Sequence, residues 1–269
     1  MRLDPVAPGA AVSLSDDAAR PAHHHDADKS ALRERLDDLT KRIDRLQEAL
    51  FAEGKRALLV VLQGRDTSGK DGTIRNVFGP LDPQGTVMTA FKAPTELELR
   101  HDFLWRVHQA MPARGMIGIF NRSHYEDVLV VRVRQLVPES VWRERYEQIN
   151  RFEQNLVETG TTILKFYLHI SRGEQRERLL ARLDEPEKFW KFNPGDLEDR
   201  KRWDDYTVAG EEMLARTSTK TAPWYVVPAD RKPARDVLVA ETVVAALERM
   251  DPKYPTPAGD LEAWRRELG

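Results

Sequence analysis

The chain has 269 residues, 41% of them hydrophobic and 32% charged, with a formal net charge of −2 and no cysteine. That is apolar material enough for a sizeable core, while the lack of cysteine excludes disulfides, thiolate metal sites and a cysteine nucleophile. The near balance of charge gives no global signal for nucleic acid, so any polyanion site must come from local clustering of Lys and Arg.

Residues 1–28 are rich in Ala, Pro and Asp, show no sustained period, and read as a flexible N-terminal tail or strap. They lack the charged start and apolar stretch of a secretory signal. The longest apolar run, residues 57–62, is far too short to span a bilayer. A cytoplasmic protein with no membrane partner is expected. His23, His24 and His25 could bind a metal, but three adjacent histidines in a polar tail read as solvated.

From Ser30 onward, Leu32, Leu36, Leu39, Ile43, Leu46 and Leu50 recur at alternating steps of four and three, one face of a helix that Gly54 ends. Packing on the core is favoured over a dimerisation helix, because so few heptads do not define a coiled coil. Residues 57–63 (ALLVVLQ) form a continuous apolar run of strand length, suited to a parallel strand buried on both faces. A helix over 71–78, a strand over 86–91, a helix over 96–109 and a strand over 116–120 follow. The pattern then predicts a long amphipathic helix over 139–158, a strand over 161–169 and an Arg-rich helix over 173–183. A polar, Trp-punctuated stretch runs to about residue 221, before a strand over 224–227, a helix over 235–250 and a C-terminal tail over 256–269. Strands alternating with helices imply an α/β fold, a parallel sheet flanked by helices, as one domain over residues 29–255.

Between the first strand and its helix, Gly64 to Lys70 match the phosphate-loop pattern G-x-x-x-x-G-K. The glycines let backbone N–H groups turn onto phosphate oxygens, the helix N-terminus adds partial positive charge, and Lys70 supplies a full one. Asp71 stands where the pattern usually has Ser or Thr on magnesium. A carboxylate at Asp66, inside a polyphosphate-binding loop, is costly unless a cation lies beside it. It reads as a magnesium ligand or as the group orienting the acceptor phosphate, with a capping or turn aspartate as the alternative.

The third strand runs into Asn121, Arg122, Ser123, His124, Tyr125, Glu126 and Asp127, at the strand end where ligands gather in parallel sheets. Arg122 can grip phosphate with two parallel bonds, and Asn121 can orient a metal-bound water or a phosphate oxygen. Glu126 and Asp127 are of the magnesium-ligand type, and equally suit the first turn of a helix. Arg172, Arg176, Arg178 and Arg182, with Lys188 and Lys191 after them, read as a mobile basic lid over about 172–195 that closes on transferring phosphates. Lys92, and Arg231 with Lys232, also stand at strand ends as phosphate contacts.

GRDTSGKDG, FKAP, HDFLWR, FNRSHYEDV, YLHIS, KFWKFNPGD and APWYVVPADRK together resemble the family-2 polyphosphate kinases, over most of the chain from Ser30 to Pro255. The resemblance implies a thymidylate-kinase-like P-loop fold with a helical lid. It also implies magnesium-dependent, reversible transfer between inorganic polyphosphate and a nucleotide. The family's loop carries an Asp two residues after the first Gly and does not require Ser or Thr after the Lys, so Asp66 and Asp71 cease to be anomalies. Its Walker A residues map onto Asp66 and Lys70, its Walker B pair onto Asn121 and Arg122, and its lid arginines onto Arg178 and Arg182. Many members have Asp where this chain has Asn121, which shifts metal ligation toward Asp66 and Glu126 or Asp127. The FNRSHYEDV form resembles the branch that accepts both AMP and ADP.

The expected catalytic set is therefore Asp66, Lys70 and Arg122. Gly64, Arg65, Thr67, Ser68, Gly69, Asp71, Gly72, Lys92, Asn121, Arg178, Arg182, Lys191 and Arg231 are expected to hold nucleotide or polyphosphate, and Asp66, Glu126 and Asp127 magnesium. The expected partners are polyphosphate, AMP, ADP and ATP, no nucleic acid, and further copies of the chain in a homo-oligomer. Two rivals stand beside this reading: an ATP-dependent nucleoside monophosphate kinase, and a polyanion-binding protein without catalysis.

Overall fold

In a computed structural model, which describes residues 3–20 and 27–269, five parallel strands form one sheet in the order β2-β3-β1-β4-β5. Helix α1 (Lys29–Glu53) begins at Asp28, whose side chain accepts from Ala31 N, and stops at Gly54 in the left-handed conformation. Strand β1 (Ala57–Gln63) is buried along its whole length. It lies in register between β3 and β4, with Val60 opposite Ile119 on one side and Leu164 on the other. Its alternation divides the core. Leu58, Val60 and Leu62 join Leu39, Ile43 and Leu50 of α1, whereas Leu59 and Val61 join a second cluster on the opposite face.

After the loop, α2 (Lys70–Thr73) widens into a π-helical turn over Ile74–Phe78, where Gly79 N reaches back to Ile74 O at 3.0 Å. Edge strand β2 (Thr86–Ala90) follows. The helix predicted over 96–109 is split into a short 3-10 turn (Glu98–Arg100) and α3 (Trp105–Gln109). His101 is extended between them, and Asp102 caps the next turn by accepting from Leu104 N at 3.0 Å. Leu97 and Leu99, which fall within the helix expected over 96–109, are 59% and 69% exposed.

Strand β3 (Ile117–Asn121) leads to a 3-10 turn over His124–Asp127, and then to α4 (Val130–Val133) and α5 (Glu139–Glu158). Next come β4 (Thr161–His169) and α6 (Arg172–Asp184). The Trp-punctuated stretch is a 3-10 turn over Pro186–Lys191 followed by α7 (Gly195–Lys201) and α8 (Trp203–Thr217). β5 (Trp224–Pro228), α9 (Lys232–Met250) and α10 (Leu261–Glu267) complete the chain. α1 and α9 cover one face of the sheet; α5 and α8 cover the other.

Of the two readings of the N-terminal segment, tail or strap, the described residues take the second. Residues 3–20 form a strap seated by isolated contacts rather than by any period. Leu14 and Ala19 are buried, Val6 N donates to Trp224 O at 2.8 Å, and Leu14 N donates to Glu211 at 2.8 Å. The strap ends at the root of α6, where Arg172 N donates to Asp16 at 3.0 Å. There Arg20 also bonds Ser171 Oγ and Asp230. The His23–His25 run lies outside the described residues. Among the described residues, no helix is long and apolar enough to cross a membrane.

Candidate active site

The site grows from the C-terminal end of β1. Gly64 has φ +145°, and a Cβ there would come within 2.5 Å of Leu168 O on the neighbouring strand. At Gly69 (φ +101°) a Cβ would lie 1.8 Å from Nη1 of Arg235, so a guanidinium packs directly on the bare Cα. Between them Thr67 is held at φ +67°, a conformation L residues avoid, with its carbonyl accepting from Arg178 Nη1 at 2.8 Å. The Thr67 and Ser68 hydroxyl oxygens are buried and have no hydrogen-bond partner within the protein. A phosphate cradled by the loop would satisfy the Thr67 hydroxyl.

Lys70 is turned back into the loop, donating to Gly64 O at 2.8 Å and Arg65 O at 3.2 Å. Burial, reinforced by the Arg122 charge and opposed by Asp66, Glu126 and Asp71, brings its pKa down to about 8.

Facing the loop, the chain leaves β3 through Arg122, another non-glycine residue at positive φ (+62°). That turn points its guanidinium across the strand ends, where Nη2 bonds Asp66 Oδ1 and Nη1 bonds Glu126 Oε2 at 3.0 Å. Burial alone would raise the Asp66 pKa, but the charges of Arg122, Lys70 and Arg182 outweigh it and hold the carboxyl below the usual range. Glu126 in turn raises the Arg122 pKa further. Asn121 Nδ2 donates to Asp71 Oδ1 at 2.7 Å, tying the end of β3 to the first turn of α2.

These groups form the floor of a cleft of about 560 Å³ roofed by α6 and the following turn. Ten cationic side chains line it (Lys70, Arg75, Lys92, Arg122, Arg178, Arg182, Lys188, Lys191, Lys232 and Arg235) against two carboxylates, Asp66 and Asp71. In a chain of net charge −2, this is the local clustering that a polyanion site requires. Thr67, Gly69, Gly72 and Asn121 also face it, while Gly64 borders a smaller adjoining cavity. Arg178 secures the roof: it spans Glu174, Thr67 O, Ala229 O and Asp230 O at 2.7–3.0 Å. Arg182 Nη1 bonds Lys191 O and Asp196 at 2.9 and 2.8 Å.

Four expectations are corrected. Arg65 turns away from the cleft: its guanidinium stacks 3.8 Å from the Trp203 ring centroid and donates to Trp203 O and Thr207, so it clamps the loop to α8. Arg231 reaches Ala27 O at the start of α1, and the neighbouring Lys232 is the one that faces the cleft. Asp127 pairs with Arg145 at 2.8 Å and lines neither cavity, so it stands apart from the two carboxylates that face the cleft. Glu126 borders the smaller cavity as the counter-ion that steadies Arg122.

Sequence reasoning missed Arg75, Asn76 and Arg235. Arg235 lies one helical turn after Arg231, at the strand-end position already suspected, and Asp236 beside it accepts from Thr73 and Asn76 at 3.2 and 2.7 Å. That spacing was the available signal.

A family model described as Polyphosphate kinase 2 (PPK2) matches residues 26–255. The chain belongs to the polyphosphate kinase 2 family. It is 55% identical to the AMP/ADP-polyphosphate phosphotransferase of Meiothermus ruber over 229 residues, covering 85% of this chain and 86% of that protein. It is 45% identical to the ADP-polyphosphate phosphotransferase of Rhodopseudomonas palustris, covering 86% and 84%. The crystal structure of a polyphosphate kinase 2 from Arthrobacter aurescens TC1 superimposes with a TM-score of 0.88 at 45% identity, covering 90% of this chain and 87% of that one. The family and fold expected from the sequence are thus borne out. Among the described residues, no three His, Asp or Glu side chains are placed to hold a metal by themselves. The two carboxylates facing the cleft fit a magnesium ion that keeps several waters and takes further ligands from substrate phosphates.

Proposed function

We propose that the protein transfers phosphoryl groups between inorganic polyphosphate and adenine nucleotides, AMP to ADP and ADP to ATP, reversibly and with magnesium. The observation that carries this reading is the cleft itself, ten cations converging on a phosphate loop and an Arg122–Asp66 pair. The names of the Meiothermus and Rhodopseudomonas relatives supply the substrate class. A terminal nucleotide oxygen attacks the end phosphoryl group of the polymer in line. The P–O bond to the next phosphate breaks, and the shortened polymer leaves with the bonding electrons. Phosphate oxygens are competent nucleophiles, so positioning and charge supply most of the rate. Lys70 and Arg122 neutralise charge on the transferring group. Asp66 orients the acceptor through Arg122. Arg178 braces the roof over the loop, while Arg182, Lys191 and Lys232 hold the polymer and exclude water. Asp66 and Asp71 would hold the magnesium ion, which when bound would supply neutralisation of phosphate charge.

We further place the protein in the cytoplasm as a homo-oligomer. Exposed Val87 and Met88 on edge strand β2, with Leu97 and Leu99 beyond it, support a contact with a second copy. The test mixes purified protein, magnesium and long-chain polyphosphate with AMP or ADP, without ATP, and follows nucleotides by chromatography. ADP and ATP formed from AMP support the full reading, and ATP from ADP alone overturns the AMP branch. No product until ATP is added to AMP makes the protein an ordinary nucleotide kinase. Salt-sensitive polymer binding with no turnover makes it a polyanion trap.

A further inference from the structure

Beneath the Arg122 turn lies a charged cluster that touches neither cleft. Lys165 on β4 and Glu153 on α5 are 0% and 1% exposed. The Lys165 ammonium uses all three of its donors, on Glu153 Oε2 at 2.6 Å, Tyr125 Oη at 2.8 Å and Thr217 O at 2.7 Å. Tyr125 Oη donates to Glu153 Oε1 at 2.7 Å, and His124 Nε2 lies 3.3 Å from the same oxygen. An ion pair this deep is a poor source of stability, since apolar side chains of similar volume usually serve as well or better. What it adds is direction, because three hydrogen bonds hold Tyr125 and His124 and two more fix the Lys165 that they depend on.

Those two residues are the third and second after Arg122. Between them and Arg122 stands Ser123, whose hydroxyl accepts from Tyr125 N at 3.2 Å and from Gln63 Nε2, the last residue of β1, at 3.1 Å. Arg122 therefore sits at φ +62° between two anchored points, the end of β3 and the His124–Tyr125 pair. A non-glycine residue persists there only where its surroundings over-determine it. Relaxing the far anchor lets the turn revert to an ordinary conformation and swings the guanidinium off Asp66.

We infer that Glu153 and Lys165, acting through Tyr125 and His124, are positioning residues for Arg122. The inference rests on the phosphotransfer reading for its effect on rate, but not for its effect on the Arg122 side chain. Glu153→Gln strands a buried positive charge and threatens the fold, so two milder variants carry the test. Tyr125→Phe removes only the shared hydroxyl, and Glu153→Leu with Lys165→Met replaces the ion pair by apolar volume.

Two readouts are taken on the full chain. The first is the Arg122 Nε–H resonance, assigned by its loss in Arg122→Lys. It is expected to shift or broaden in both variants. The second is steady-state kinetics: kcat is expected to fall by about tenfold with KM for polyphosphate within about twofold, and Tyr125→Phe to cost nothing further in an Arg122→Ala background. A merely structural cluster would lower the melting temperature and leave the Arg122 resonance and the kcat of folded enzyme unchanged. That result, or a full further loss in the Arg122→Ala background, overturns the inference. A shifted resonance in a protein whose wild type transfers no phosphate would uphold the positioning and overturn the functional reading alone.

Discussion

Lys70 is expected to make the binding of polyphosphate depend on pH, with a sign set by its burial and its neighbours and a midpoint at about pH 8. With the loop empty, its ammonium is held by two loop carbonyls, and burial and Arg122 bring its pKa to about 8. An anion in the loop favours the protonated form. Below pH 8 the free protein already carries that proton, and affinity is flat. Above it, binding must take up a proton, and affinity falls toward tenfold per unit, until the pKa of the bound state is reached. At pH 9 the loss is about elevenfold, or about 1.4 kcal/mol, with about 0.9 proton taken up per site. The assay is calorimetric titration with long-chain polyphosphate, without magnesium, from pH 7 to 9.5 in buffers of different ionisation enthalpy. Lys70→Met serves as the reference that subtracts titration of the polymer and of other groups. It should bind more weakly at pH 7 and lose the break near pH 8. Affinity that stays flat through pH 9.5, or equal proton uptake in Lys70→Met, would refute the argument.

Gly69→Ala places a methyl group against Arg235 and strains the loop. It should weaken polyphosphate binding at least about tenfold and lower stability by about 1–3 kcal/mol, read by calorimetry and thermal denaturation. Arg65→Ala should cost about 2–3 kcal/mol in a denaturant titration, from the lost Trp203 stacking and two hydrogen bonds, while folded protein keeps its polymer affinity within about twofold. Asp127→Asn should leave the magnesium dependence of the rate where it is, because that carboxylate belongs to Arg145. Asp66→Asn should move it by more than about tenfold. An unmoved midpoint in Asp66→Asn would take that residue out of the metal site.

The central strands were legible because burial on both faces favours long apolar runs, as in the first six residues of β1, and such runs have few other readings. α5 and the Gly54 stop were equally plain, for periodicity and a left-handed cap are local signals. The split at 101–102 was not, because an aspartate cap competes with a helical pattern through a single hydrogen bond, and His101 stacks on Trp105 with centroids 4.0 Å apart. α8 was overlooked although Trp203, Gly210, Met213, Leu214 and Thr217 keep helical spacing, since its acidic pairs and neighbouring polar residues diluted the stripe. The cleft's charges could be named from sequence, but their directions could not. Arg65 is turned by a tryptophan 138 residues away, and Asp127 by an arginine on α5. A side chain's partner across the fold leaves no trace in its own neighbourhood.

The strap carries a consequence for the order in which the protein is put together. The strap is synthesised well before the residues that seat it. Leu14 bonds Glu211, 197 residues downstream; Val6 accepts from Ser218, 212 downstream; and Arg20 reaches Asp230, 210 downstream. None of these partners exists until α8 and β5 have been synthesised. The parallel pairing of β1 with β3 and β4 asks for a shorter span of chain. Contacts of such sequence separation form late, since closing the larger loop must precede any gain from it. Because Asp16, Arg20 and Asp230 all hold the root of α6, the base of the helix that roofs the cleft is fully fastened only once the chain beyond β5 has been made. A nascent chain thus carries its phosphate loop before it has a fastened roof to close over it.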